Sequence, residues 1–249
     1  MMDLISNGLP WTDVVLLLLA SFAGSLMTAA LGVGGGSFLI AVMAAIMPPL
    51  ALVPLHGIVQ FGSNATRAWM SRRHLQIGLA LWFGVGAVIA AGLSVWFLDR
   101  IEPGVIPLLV ALFILYLSWG KIPAIGLSST RTGLLSGGLL TTLMTMLVGA
   151  TGPLVSAWLG RGTDRWRYTA NFSFAMTLQH LLKVAVFGFA GFSYREWIPL
   201  LVAMILSGFI GTRAGLKLLG RIPEQQFRFW FKWLLTLLSL HLIWQWWQA

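Results

Sequence analysis

The chain has 249 residues, 58% of them hydrophobic and 9% charged, with a formal net charge of +9 and a mean hydropathy of +0.85. That composition excludes an ordinary soluble domain, which would leave too much apolar surface in water. Cysteine is absent, which excludes disulfides, thiol nucleophiles and thiolate metal sites, and no basic run is longer than "SRRH" (71–74), which speaks against nucleic acid.

The first residues, "MMDLISNGLPWTD", have no basic n-region and carry Asp3 and Asp13, so they do not read as a cleaved signal peptide. Ten hydrophobic segments follow, most of them near the ~20 residues that cross ~30 Å of hydrocarbon as a helix. The first spans 13–31 and ends on a glycine cluster, "LGVGGGS". A short one spans 37–47 and is stopped by Pro48 and Pro49, and longer ones follow at 52–70, 77–98 and 105–119. After "KIPAIGLSSTR" (121–131) a second set begins at 132–148, breaks at "GATGP", continues in the short 153–160, and ends with 166–189, 197–219 and 227–247.

Both sets run long, glycine break, short, long, long, long. "LGVGGGS" and "VGATGPL" superpose at an offset of 117 residues, aligning Gly32 with Gly149 and Gly35 with Gly152. Such internal repetition is the mark of a transporter built from two halves. With 71–76 placed in the cytoplasm and each short segment counted as one pass, Arg72, Arg73, Lys121, Arg131, Arg161, Arg165, Arg167, Arg213, Lys217, Arg221, Arg228 and Lys232 fall on or near the cytoplasmic side. Only Arg100 and Arg195 fall clearly outside, as the positive-inside bias requires. This topology puts both termini in the periplasm and turns the second half upside-down relative to the first. The expected fold is an all-α polytopic membrane protein of two inverted repeats, each of about five helical segments with a glycine-broken short helix. The expected units are 1–120, a cytoplasmic linker 121–131, and 132–249.

The short segments, at ~1.5 Å per residue, cover only ~17 Å and ~12 Å. Backbone groups freed at such depth cannot face lipid and must line a cavity or a ligand. A helix N-terminus offers unpaired N–H groups and a positive dipole end, so two of them converging near the midplane form an anion site. Gly34, Gly35, Gly36 and Ser37 at the first break, and Thr151, Gly152 and Pro153 at the second, are its expected backbone and hydroxyl donors. On this reading Gly35→Leu or Gly152→Leu removes anion binding. Close helix packing is the competing role for any single glycine, and the expected role of "GTRAG" (211–215).

In the third segment His56, Gln60 and Asn64 stand at i, i+4 and i+8 with Arg67 beside them. In the eighth, Asn171, Gln179 and Lys183 share a face, with His180 adjacent. Polar stripes in membrane helices mark a pathway, although interhelical hydrogen bonding, or snorkelling of Arg67 and Lys183 to the interfaces, would also use such residues. All seven carboxylates, Asp3, Asp13, Asp99, Glu102, Asp164, Glu196 and Glu224, lie at segment ends or in loops. A proton relay of buried acids is therefore not expected, and His56 or His180 would carry any coupled proton.

The elements "GVGGGSFLIAV" and "GATGPLV" and the two-half layout resemble the TauE/SafE sulfite exporter family, the 4-toluene sulfonate uptake permeases. The match lies on Gly32, Gly34, Gly35, Gly36, Gly149, Gly152 and Pro153, with Ala150-Thr151 where the family often has further glycine. The resemblance implies transport of sulfite or C2 organosulfonates such as sulfoacetate across the bacterial inner membrane, in a chain commonly described with eight spans.

The expected function is therefore a secondary transporter working by alternating access; the alternative is an anion channel, or a permease for another small organic anion. No enzyme activity, cofactor or metal is expected: there is no G-x-S-x-G elbow and no buried acid. The expected partners are the bilayer and a small sulfur-containing anion, with no nucleic acid; a homodimer is compatible with this reading.

Overall fold

The computed structural model describes residues 7–98, 100–120, 130–160, 164–219 and 224–248, with 224–228 given by their backbone alone. Most of the linker 121–131, together with Lys121, Arg161, Arg221, Asp3 and Asp99, lies outside the described residues. Ten α-helices account for nearly everything described: α1 (Trp11–Leu31), α2 (Gly35–Ile46), α3 (Pro49–Ser71), α4 (Ile77–Leu98), α5 (Ile106–Trp119), α6 (Arg131–Val148), α7 (Gly152–Leu159), α8 (Arg165–Phe189), α9 (Ile198–Lys217) and α10 (Glu224–Gln248). No strand occurs among the described residues.

The ten helices fall on the ten expected segments. Four stretches among the described residues, Trp11–Leu31, Ile77–Leu98, Arg165–Phe189 and Arg195–Lys217, are long and apolar enough to cross a bilayer. α3, at 23 residues, is longer than two of these, but His56, Gln60, Asn64 and Arg67 depress its hydropathy. Its start lies three residues earlier than the apolar run suggests, because Pro49 fits the first helical turn, where no N–H partner is needed.

Both breaks are built the same way. α1 ends where Gly32 turns to φ +91° and its N–H donates to the Thr28 carbonyl; α6 ends where Gly149 turns to φ +75° and its N–H donates to Thr145. Side-chain-bearing residues rarely adopt this left-handed conformation, so glycine fixes where each helix stops. α2 and α7 restart after three residues.

Helix pairing crosses between the halves. α1 packs along α9 and α4 along α6, while α3 and α8 pack on each other at the centre. Glycines allow the outer pairs to meet backbone to backbone. Gly211 and Gly215 face the carbonyls of Phe22 and Leu26, as expected for "GTRAG", while Gly86 and Gly138 face those of Leu135 and Phe83. Without a hydrophobic drive between helices in lipid, such close approach supplies the association energy through dispersion.

One apolar cluster joins α1, α2, α3, α5, α9 and α10 through residues such as Leu17, Ile40, Leu55, Ile114, Met204 and Leu242. A second joins α4, α6, α7 and α8 through Phe83, Leu134, Val155 and Met176. The polar residues of α3 and α8 meet along the contact between these helices. Large apolar side chains such as Leu16, Leu19, Val88, Leu206 and Ile210 stay exposed, as a lipid-facing surface requires.

Candidate functional site

The N-terminal ends of α2 and α7 approach each other beside the α3–α8 contact and leave a small cavity, about 20 Å³ once the radius of a water molecule is taken off its walls. That is room for roughly one water-sized group. Its wall combines Gly34, Gly36 and Ser37 from the first break, Gly149, Ala150, Gly152 and Pro153 from the second, His56, Gln60 and Asn64 from α3, and Phe172, Met176 and His180 from α8, with Thr28 from α1. In the first turn of α2 the Ser37 and Phe38 amides donate to the Gly34 carbonyl at 2.9 and 3.2 Å, which leaves those of Gly35 and Gly36 without an intrahelical acceptor. The tip of α7 offers fewer donors, because Pro153 has no N–H.

Two buried cations flank the cavity. Arg67 is 2% exposed and Lys183 0%, so neither snorkels to an interface. The Arg67 guanidinium donates to Asn64 Oδ1 and lies over the Phe172 ring at 5.3 Å. Asn64 Nδ2 in turn donates to Gln60 Oε1 at 3.2 Å, and also to the Gln60 carbonyl at 2.8 Å. This chain of donors ends on the Gln60 carboxamide, whose remaining donor is Nε2. Positive polarity is thus handed from Arg67 to the cavity wall.

On the other side Lys183 Nζ lies 3.3 Å from His56 Nδ1 and 3.2 Å from the Gly149 carbonyl, and His56 Nε2 lies 3.1 Å from the Gly36 carbonyl. His180 sits edge-on to His56 with ring centroids 5.7 Å apart. Within the described residues neither ring nitrogen of His180 has a hydrogen-bond partner, nor has Ser37 Oγ or Arg67 Nε. Buried polar groups left unpaired cost ~1–3 kcal/mol each, more when charged, so a ligand that satisfies them gains that energy. Among the described residues the ion pair joins Asp164 to Arg167, both exposed, and no carboxylate reaches Arg67 or Lys183. Nor does any group of three metal-ligating side chains occur there.

The expected residues divide as follows. Gly34, Gly36, Ser37, His56, Gln60, Asn64, Gly152, Pro153 and His180 line the cavity together, with Arg67 and Lys183 one bond behind. Gly35 instead packs against Gly24. Thr151 donates to Gln179 Oε1 at 3.4 Å, and Gln179 Nε2 is held by Thr141 and Thr142 at 2.7 and 3.0 Å. Asn171 is turned to the start of α4, where it exchanges two hydrogen bonds with Gln76.

Phe172, Met176, Thr28 and Ala150 were not legible as wall residues from polarity. The cavity face of α8 is Phe172, Met176 and His180, at i, i+4 and i+8, one residue out of register with the polar stripe Asn171, Gln179 and Lys183. The single signal for it was His180.

Ten packed helices with apolar outer faces, closing on a cation-flanked interior cavity, make a multi-pass membrane protein. The family model "Sulfite exporter TauE/SafE" matches residues 16–242, and the chain belongs to that family. No curated protein and no solved structure matches the chain. Membership implies export of sulfite or a related sulfur anion across a membrane.

Proposed function

We propose that this chain is a secondary transporter that carries small sulfur oxyanions, sulfite or a C2 organosulfonate such as sulfoacetate, across the bacterial inner membrane by alternating access. The observation that carries this reading is the pair Arg67 and Lys183, buried on either side of one cavity with no carboxylate near either among the described residues. Buried charge without a partner is expensive, and an anion between the two is the missing partner.

The oxyanion would take hydrogen bonds from the α2 amides, Ser37, Gln60 and His180, with Phe172 and Met176 against any carbon portion. The free volume holds about one water-sized group, so the wall must give way for sulfite and further for a C2 sulfonate. The crossed pairing, α1 with α9 and α6 with α4, supports reading 1–120 and 132–249 as inverted halves whose breaks meet at a shared site. With 71–76 cytoplasmic, both termini lie in the periplasm.

The test is a calorimetric and thermal-shift panel on the purified protein: sulfite under anaerobic conditions, sulfoacetate, taurine, sulfate and acetate. Sulfite or sulfoacetate binding with taurine excluded supports the reading, since among the described residues no buried acid is present to receive an amine. Acetate or sulfate binding as well as the sulfur(IV) and sulfonate ligands removes the substrate assignment, and binding of none removes the site.

A further inference from the structure

The hydrogen bonds of Lys183 tie the two breaks to each other. A carbonyl oxygen only accepts, so an N–H of Lys183 points at Gly149, which ends α6, and the Nε2–H of His56 points at Gly36, in the first turn of α2. Nδ1 is then the acceptor of His56 and takes a second N–H of Lys183. The bonds run outward from Lys183, directly to the break of the second half and through His56 to the break of the first. Residues 127 apart in sequence are joined by them.

The place that the ammonium takes is chemically distinctive. Carbonyls released where a membrane helix unwinds are the groups that coordinate a coupling cation in transporters with broken helices. Here Gly149 O receives Lys183 Nζ, and Thr145 Oγ1 donates to the same oxygen at 3.3 Å. The lysine stem is fitted to α3: a methyl group on Gly57 would come within 2.8 Å of Lys183 Cε. The side chain therefore threads past a glycine to bring its Nζ to a carbonyl site.

We infer that Lys183 is the resident cation of this transporter: it holds the two breaks in the binding geometry through His56, in the place of a bound metal cation, so that anion binding requires no sodium. The inference rests on the anion-site reading above. Lys183 acts as a positioning residue, since His56 and not Lys183 forms the cavity wall.

The experiment is anion binding by the purified full chain, with sulfite, sulfoacetate and sulfate as probes, in sodium, potassium and N-methylglucamine salts of equal ionic strength. Affinities within about twofold in all three are expected. Lys183→Ala should lose roughly tenfold to a hundredfold. Methylammonium, which can refill the vacated ammonium position, should recover most of that loss, while leaving wild type and Arg67→Met unchanged. Wild-type affinity that collapses without sodium overturns the inference. So does a folded Lys183→Ala that binds like wild type, or one that methylammonium fails to recover. If Lys183→Ala does not fold, the wild-type salt series decides alone. Failure of the wild type to bind any probe in any salt is a separate result, which removes the anion site itself and this inference with it.

Discussion

Gly35 backs onto Gly24 so closely that neither has room for a side chain: a Cβ on Gly35 would run into the Gly24 carbonyl and the Thr28 hydroxyl, and one on Gly24 would lie 2.7 Å from the Gly35 carbonyl. The glycine cluster therefore holds two kinds of position. Gly35 lets α2 fold back against α1, while Gly36 lies beside the Gln60 carboxamide, where a methyl group would make ordinary contacts at 3.5–3.6 Å.

Gly35→Ala should lower thermal stability in detergent by about 1–3 kcal/mol through overpacking against backbone that cannot yield. Gly152→Ala, whose Cβ would sit 3.5 Å from the Phe172 ring, should keep wild-type stability and change anion affinity by narrowing the cavity. The expectation that Gly35→Leu reports on the ligand is replaced: that variant reports on folding. A Gly35→Ala protein as stable as wild type would contradict the packing described.

Arg67→Met keeps an apolar stem beside Phe172 and removes the unpaired charge. Anion affinity should fall roughly tenfold to a hundredfold. The melting temperature of the anion-free protein should hold or rise, because a buried cation without an acid destabilises the empty state. Calorimetry and a thermal melt of one preparation read both, and retained affinity would remove Arg67 from the site.

His180 gives a different pattern, since no hydrogen bond within the described residues depends on its ring nitrogens. His180→Phe preserves the ring volume and the edge-on contact with His56. Its stability should match wild type while anion affinity drops by about tenfold. Equal affinity in the two proteins would mean that the ring serves packing alone.

Asn171 and Gln76 exchange hydrogen bonds of 2.7 and 2.9 Å at the junction of α3 and α4 with α8. Asn171→Ala should cost about 1 kcal/mol of stability. Its anion affinity should stay within about threefold of wild type. A large, specific loss of binding in a stable Asn171→Ala protein would place this residue on the substrate path after all.

The stripe His56, Gln60, Asn64 was legible because all three carry polarity on one 3.6-residue face, and that face is the one α3 turns to the cavity. On α8 the same rule selected Asn171 and Gln179, whose polarity is used up on Gln76 and on the threonines of α6. It passed over Phe172 and Met176, because an apolar wall residue looks like any lipid-facing or core residue until its neighbours are known.

Membrane residence, the number of helices and the two points of interruption follow from the sequence by itself, since each depends on local quantities: apolar length against bilayer thickness, and glycine where a helix must turn left-handed. Only the tertiary structure decided that α1 lies on α9 and α4 on α6, which glycines touch backbone and which touch the cavity, and that Lys183 reaches His56. Those outcomes depend on close approach between segments far apart in the chain. No periodicity encodes such approach, because the same glycine or lysine suits either partner until packing selects one.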